Sequence, residues 1–104
     1  MDKKYTLRYL PQFEYDLGAA RDHIAFKLQN PVAALRLVEK TEEAIFERLK
    51  NPLITQPYPS VRRRKHPYYR INVKNYSVFY VVIGNVMEVR RFIYSRRNIP
   101  KILQ

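Results

Sequence analysis

The sequence lacks several features that would place it in familiar classes of protein. It contains no cysteine, which excludes disulfide bonds, thiolate chemistry and cysteine-based zinc sites. No segment approaches the ~20 apolar residues of a membrane span, and the N-terminus, "MDKKYTLRYL", has no apolar stretch of signal-peptide length. The two histidines, His23 and His66, are too far apart in sequence to predict a metal site. We therefore expect a cytoplasmic protein with no metal, no cofactor and no membrane partner.

Acidic residues are scarce as well, but only in one part of the chain. Residues 1–60 contain nine Lys and Arg against eight Asp and Glu, whereas residues 61–104 contain eleven against one acid, Glu88. The 104 residues suit one small domain, spanning 1–104, with a modest core. This charge asymmetry predicts a polyanionic partner, such as nucleic acid, a ribosome or an acidic protein. The alternative is a solvated basic surface with no binding role.

The first part of the chain predicts a strand followed by a helix. Residues 4–10 alternate between apolar and polar side chains, which is typical of a strand that ends at Pro11. From Phe13 the apolar spacing changes to that of an amphipathic helix. The residues of its predicted apolar stripe are Phe13, Leu17, Ala20, Ile24 and Leu28.

A second helix is predicted to begin at Asn30-Pro31, an N-cap followed by proline at the first helical position. Asn51-Pro52 ends it. Because about two residues join the two helices, they must fold back as an antiparallel hairpin. The side chains expected to face the core from the second helix are Val32, Leu35, Val38, Ile45 and Leu49.

The rest of the chain predicts a long loop and three strands. Residues 52–67 contain four of the seven prolines, and loops of this length are often functional. The strands span 69–73, 76–83 and 86–94, and each neighbouring pair is joined by a two-residue link of the kind that tight hairpins prefer. The middle strand, "YSVFYVVI", is apolar on both faces and is expected at the centre of the sheet. The tail, "RRNIPKIL", predicts a short helical turn.

These elements predict an α+β fold with the order β-α-α-β-β-β. An antiparallel helical hairpin is expected on one face of a small, mostly antiparallel sheet. The other face is expected to be open. In the strand 69–73, alternation directs Tyr69, Ile71 and Val73 toward the helices and leaves Arg70 projecting from the open face.

The element order and two sequence stretches resemble the RelE/ParE superfamily of toxins from type II toxin–antitoxin modules. The stretches are "YRINVKNYSVFYVV" and the closing "VRRFIYSRRNI", and the resemblance covers essentially the whole chain. It implies a toxin whose partner is an acidic antitoxin protein. RelE-like members cut mRNA in the ribosomal A site, whereas ParE-like members poison DNA gyrase.

The resemblance also implies where a ribonuclease site would lie. Cleavage needs a group that takes the ribose 2′-proton, cations that stabilise the phosphorane and an acid for the leaving oxygen. By position in the family, Arg70 and Arg96 would supply cations, and Tyr94 stands where related enzymes offer Tyr or His. His66 is added because histidine is the side chain most often used for proton transfer. The residues expected to bind RNA phosphates are Arg62, Arg63, Arg64, Lys65 and Arg97.

Two positions depart from the nuclease pattern and keep the other functions open. Ser77 stands where RelE-like enzymes carry an arginine on the central strand, and Asn72 replaces a lysine. A ribosome-dependent mRNA endonuclease is the leading interpretation, with ribosome and mRNA as partners. The alternatives are a gyrase inhibitor without chemistry of its own and an inactive toxin-like protein that binds only its partner or operator DNA.

Overall fold

The predicted order of elements is present in the computed structural model, which describes residues 4–60 and 63–103. The strands of the single sheet are arranged β1-β4-β3-β2, with β1 parallel to β4 and the other neighbours antiparallel. The expected α+β architecture is therefore confirmed, and β3 is an inner strand as predicted. The elements are β1 (Thr6–Tyr9), α1 (Pro11–Asp22), a π-helical turn (His23–Lys27), α2 (Pro31–Leu49), β2 (Tyr69–Val73), β3 (Tyr76–Ile83), β4 (Val86–Tyr94) and α3 (Ile99–Ile102).

The main core lies between the helical hairpin and one face of the sheet, called here the helical face. Phe13 of α1 and Ile45 of α2 are buried there against Val78 and Tyr80 of β3. Tyr69, Ile71 and Val73 of β2 belong to the same core, as the alternation predicted. None of the helices in residues 4–60 and 63–103 has both the length and the hydrophobicity needed to cross a bilayer.

The predicted apolar stripe of the first helix is wrong at its end. Phe13, Leu17, Ala20 and Ile24 pack in the core, but Leu28 is 60% exposed. The reason is the π-helical turn His23–Lys27, which takes more residues per turn than an α-helix and rotates the following side chains away from the stripe.

The predicted core face of the second helix is shifted at its N-terminal end. The N-cap is as expected, because the Asn30 side chain accepts a hydrogen bond of 3.0 Å from the Ala33 N–H. Val32 and Leu35, however, are each 60% exposed. The helix instead buries Ala34, Leu37, Thr41 and Ile45.

A threonine stands in this buried stripe because the helix itself satisfies its hydroxyl. The Thr41 Oγ1 donates to the Leu37 carbonyl at 2.7 Å, so it needs no water. The sequence pattern favoured the apolar residues Val32 and Leu35 over this polar one, which misplaced the N-terminal part of the buried face, whereas Ile45 is buried as predicted.

The second face of the sheet, opposite the hairpin, is covered and not open as predicted. Phe79 and Ile93 are buried on this face under Ile99 and Leu103, from α3 and the residue after it. Because α3 follows β4 after a short turn, the chain folds back over the strand that it has just left. The predicted helical turn in the tail is thus confirmed, and it forms half of a second, smaller core.

The other half of the second core comes from the proline-rich loop before β2. The rings of Tyr58 and Tyr68 pack edge-on against Phe79, with centroid distances of 5.2 and 6.3 Å. The Tyr58 N–H donates to the Tyr68 carbonyl at 2.7 Å, which holds the two limbs of the loop together. The loop therefore lies across the sheet, where sequence reasoning placed an exposed functional surface.

Tyr80 joins the start of this loop to the sheet, which leads to a first prediction. Its hydroxyl donates to the Pro52 carbonyl at 2.6 Å and accepts a hydrogen bond of 3.0 Å from the Arg48 guanidinium. Tyr80→Phe leaves the Pro52 carbonyl buried without its donor, so we expect a loss of about 1–3 kcal/mol in the free energy of unfolding. Urea denaturation measures it. Tyr15→Phe, on an exposed ring, should change stability little, and an equal loss in both variants would contradict the prediction.

Candidate functional site

Arg70 lies on the second face, as predicted, but beneath the covering layer. Its Nε donates to the Ser77 hydroxyl at 2.8 Å. Its guanidinium carbon lies 5.7 Å from the centroid of the Tyr58 ring and 5.8 Å from that of Phe79. The side chain is half-buried. The guanidinium is therefore held by the protein's own side chains.

Ser77 is the centre of a neutral polar cluster beside Arg70. It has no exposed surface, and its hydroxyl lies 3.3 Å from the Asn72 side-chain oxygen and 3.1 Å from the Ser95 hydroxyl. Strand pairing sets Asn72 directly opposite Ser77. Ser77 and Asn72, the two departures from the nuclease pattern, thus lie side by side. Together with Ser95 they form a network of hydroxyl and amide groups next to the Arg70 guanidinium.

Tyr94 lies on the other side of the sheet from Arg70. It pairs with Tyr76 in the β3–β4 register, and the two rings are 5.5 Å apart. Tyr76 packs against the core of the helical face, whereas Arg70 contacts Phe79 on the second face. The two predicted catalytic residues are therefore separated by the sheet, although Tyr94 is 38% exposed at its end.

Arg96 and Arg97 lie in the exposed turn that follows β4. The Ser95 N–H donates to the Asn75 carbonyl at 2.8 Å, which fixes the turn beside the β2–β3 link. In residues 4–60 and 63–103, no acid forms an ion pair with either arginine. Both guanidiniums are thus presented to solvent.

The basic loop divides into exposed and engaged cations. Arg63 and Lys65 are exposed, whereas Arg64 is half-buried. The Arg64 guanidinium donates to the Leu103 carbonyl and lies 4.9 Å from the centroid of the Tyr68 ring. His66 is half-buried. Arg62 lies outside the described residues. The four cations that the sequence groups together therefore have different roles, because Arg64 joins the loop to the C-terminal segment.

Glu88, the one acid of the basic part, is neutralised within the sheet. Its side chain is 7% exposed and accepts hydrogen bonds from Arg8 at 2.6 Å and Arg90 at 2.7 Å. Burial by itself raises the pKa of Glu88, but the hydrogen bonds from Arg90 and Arg8 outweigh it and hold the pKa below its ordinary value. One partner, Arg90, lies two residues along β4, and the other, Arg8, lies on the paired strand β1. The carboxylate is committed to them.

A second acid, Asp16, has a structural role that sequence reasoning missed. Its carboxylate accepts a hydrogen bond of 2.8 Å from Arg91 and one of 3.0 Å from the Phe92 N–H. The pairing of β3 with β4 shifts by one residue between Phe79 and Tyr80, a β-bulge that changes the direction of the β4 side chains. Asp16 thus connects α1 to the bulge. The pair lies 75 positions apart in sequence, and no local pattern indicates it.

The β-α-α-β-β-β fold, with a helical hairpin on one face of a four-stranded sheet, is that of a RelE/ParE superfamily toxin. The family of ParE toxins of type II toxin-antitoxin systems, parDE, matches residues 7–99. The chain therefore belongs to this family. The resemblance noted in the sequence is confirmed.

Solved structures of the same fold include toxins from two bacteria and an archaeon. The chromosomal ParDE system from P. aeruginosa matches with a TM-score of 0.72 and 20% identity over 88% of this chain and 97% of that one. The E. coli DinJ-YafQ complex matches with a TM-score of 0.57 and 16% identity over 86% of this chain and 92% of that one. The RelB-RelE complex from Methanococcus jannaschii matches with a TM-score of 0.50 and 24% identity over 93% of this chain and 99% of that one. No protein of curated function matches the sequence.

Proposed function

We propose that this toxin acts by binding DNA gyrase and inhibiting it, without cleaving RNA itself. The observation that carries the proposal is the state of Ser77. A nuclease of the resembling kind needs a cation there, aimed at the phosphate on which charge develops. Here the position holds a neutral side chain that is closed off from solvent and tied to Arg70. The family match to ParE toxins agrees with this choice.

The separation of the predicted catalytic residues also supports a binding mechanism. Arg70 lies under Tyr58 on the second face, and Tyr94 contacts Tyr76 on the helical face. Acid–base catalysis requires groups within hydrogen-bond reach of the same reacting atoms. The sheet stands between these two side chains and the loop covers Arg70, so a single bound ribose and phosphate would not reach both.

An mRNA endonuclease is the second candidate, and the exposed cations favour it. Arg63, Lys65, Arg96 and Arg97 are exposed, and such a surface attracts the phosphates of a ribosome or mRNA. In this alternative Arg70 and Arg96 would hold the scissile phosphate, and Tyr94 or His66 would transfer protons. Arg62, Arg64 and the exposed cations would position the RNA.

The partner that restrains the toxin is proposed to be a cognate acidic antitoxin. The ParDE, DinJ-YafQ and RelB-RelE structures are systems or complexes of a toxin with an antitoxin. A chain with a net charge of +11 favours association with an acidic protein, at a rate that should fall as salt is added.

The two candidate functions are separated by a comparison in purified components. We expect the toxin to stop supercoiling of relaxed plasmid by gyrase and to leave mRNA intact on translating ribosomes. Arg70→Ala and Arg96→Ala should leave gyrase inhibition largely unchanged, because neither then performs chemistry. If the toxin cleaves mRNA, and each variant slows that cleavage by about one to three orders of magnitude, the nuclease mechanism replaces the one proposed.

A further inference from the structure

A large cavity lies between the proline-rich loop and the C-terminal segment, on the outer side of the second core. Its volume is about 1310 Å³, above the ~300–1,000 Å³ typical of small-molecule sites. A stretch of polypeptide fits this size better than a metabolite does. The described residues that line it are Pro57, Tyr58, Pro59, Ser60, Arg63, Arg64, Pro67, Tyr68, Asn98, Pro100, Lys101 and Leu103.

The chemistry of this lining selects a ligand that is both apolar and anionic. Four prolines, two tyrosines and a leucine form the walls, and three cations, Arg63, Arg64 and Lys101, stand among them. None of the described lining residues is acidic. An apolar side chain flanked by carboxylates would bury its apolar part against the walls and pair its charges with the cations.

Arg64 indicates independently that the ligand of this cavity carries a hydrogen-bond acceptor. One terminal nitrogen of its guanidinium donates to the Leu103 carbonyl. Its Nε is buried, and it has no hydrogen-bond partner among residues 4–60 and 63–103. A buried N–H without an acceptor is costly. A carboxylate entering beside Arg64 would relieve that cost after a small rotation of the guanidinium.

The walls are fixed before any ligand arrives. Proline restricts the backbone of both limbs of the loop, and the Tyr58 and Tyr68 rings are held edge-on against Phe79. Guanidiniums also lie over both rings, Arg70 over Tyr58 and Arg64 over Tyr68. Single-stranded RNA is bound largely by stacking bases on free aromatic faces. Because a guanidinium already lies over each ring, fewer aromatic faces are free for stacking, and the cavity favours a peptide over RNA.

We propose that the cavity captures an acidic segment of the antitoxin through one bulky apolar side chain. The inference rests on the antitoxin partner proposed above, but not on the choice between gyrase and mRNA as the target. It goes beyond a general attraction between opposite charges because it assigns the contact to one concave surface and requires an apolar anchor.

The probe that tests this is a short fluorescein-labelled peptide with one phenylalanine flanked by glutamates, followed by fluorescence anisotropy with the full chain. Arg63→Gln combined with Lys101→Gln should weaken its binding by about tenfold or more. Lys27→Gln combined with Arg36→Gln removes the same charge from exposed positions on the hairpin and should change affinity about twofold at most. A peptide with serine in place of phenylalanine should also bind several-fold more weakly.

Three results would overturn the proposal. The first is equal weakening of peptide binding in both double variants. The second is equal binding of the serine and phenylalanine peptides, and the third is displacement of the peptide by oligouridylate at similar concentration.

An experiment in cells distinguishes whether the cavity binds the antitoxin or the target of the toxin. Lys101→Gln, which removes a cavity cation that neither candidate target mechanism uses, should stay toxic and be neutralised less effectively by the co-produced cognate antitoxin. Loss of toxicity with unchanged binding of the purified cognate antitoxin would assign the cavity to the target instead, whereas failure of the gyrase assay alone would leave the proposal standing.

Discussion

Ser77→Arg, which restores the strand cation of the nuclease pattern, should destabilise this protein severely. The side chain at this position has no exposed surface, and a guanidinium there would be buried without an anionic partner beside Arg70. We expect the free energy of unfolding to fall by about 3 kcal/mol or more. Ser77→Ala loses only the hydrogen bonds of the hydroxyl and should cost about 1 kcal/mol. Urea denaturation at constant m-value measures both.

The control places the same side chain at an exposed position. Asn85→Arg, in the turn between β3 and β4, is exposed and should change stability by about 0.5 kcal/mol at most. If Ser77→Arg proves as stable as the wild type, the layer formed by Tyr58 and α3 lifts readily from the sheet. The second face would then be accessible to RNA, and the nuclease candidate would gain over the gyrase inhibitor.

The strands were predictable from the sequence because their signals are local. The bounds of β2, β3 and β4 agree with those read from the alternation, since Lys74-Asn75 and Gly84-Asn85 mark the turns between them. The inward set of β2 was also predictable, because alternation along a strand leaves only two faces. Family resemblance and these local signals together were sufficient for the fold.

The helix faces and the second core were not predictable because they depend on tertiary contacts. A π-helical turn is invisible to a count of apolar spacing, and it moves Leu28 out of the core. Thr41 enters the core because its own helix satisfies its hydroxyl. A proline-rich loop has no periodicity to indicate which side chains it buries, so the packing of Tyr58 and Tyr68 on Phe79 was missed.

The sequence allowed candidate site residues to be named, but it could not show their surroundings. Sequence reasoning identified Arg70, and it identified Ser77 and Asn72 as departures from the nuclease pattern. It could not show that these three side chains form one hydrogen-bonded cluster, because that requires the strand register and the covering loop. The proposed binding role depends on how little of Ser77 is exposed, and exposure is a property of the assembled layers.

Glu88→Gln should destabilise this protein more than the loss of an exposed ion pair does. The carboxylate is 7% exposed and bridges Arg8 and Arg90, and Arg90 in turn lies over the Tyr68 ring. The glutamine amide of this variant is neutral, so the guanidiniums of Arg8 and Arg90 lose their anionic partner. Because the Arg8 side chain is 53% exposed, water replaces part of what is lost, and we expect a decrease of about 2 kcal/mol in the free energy of unfolding.

The pH dependence of this loss identifies its electrostatic origin. The pKa of Glu88 is lowered in the folded state, so the carboxylate stabilises the fold fully above its pKa in the unfolded chain, roughly 4.3. As the pH falls through the lower folded pKa, this stabilisation disappears. The difference between wild type and Glu88→Gln should therefore be constant near neutral pH and shrink toward zero in acid. Glu47→Gln, which breaks an exposed pair with Lys50, should cost about 0.5 kcal/mol or less. A difference for Glu88→Gln that persists unchanged into strong acid would show that altered packing, and not the charge, is responsible.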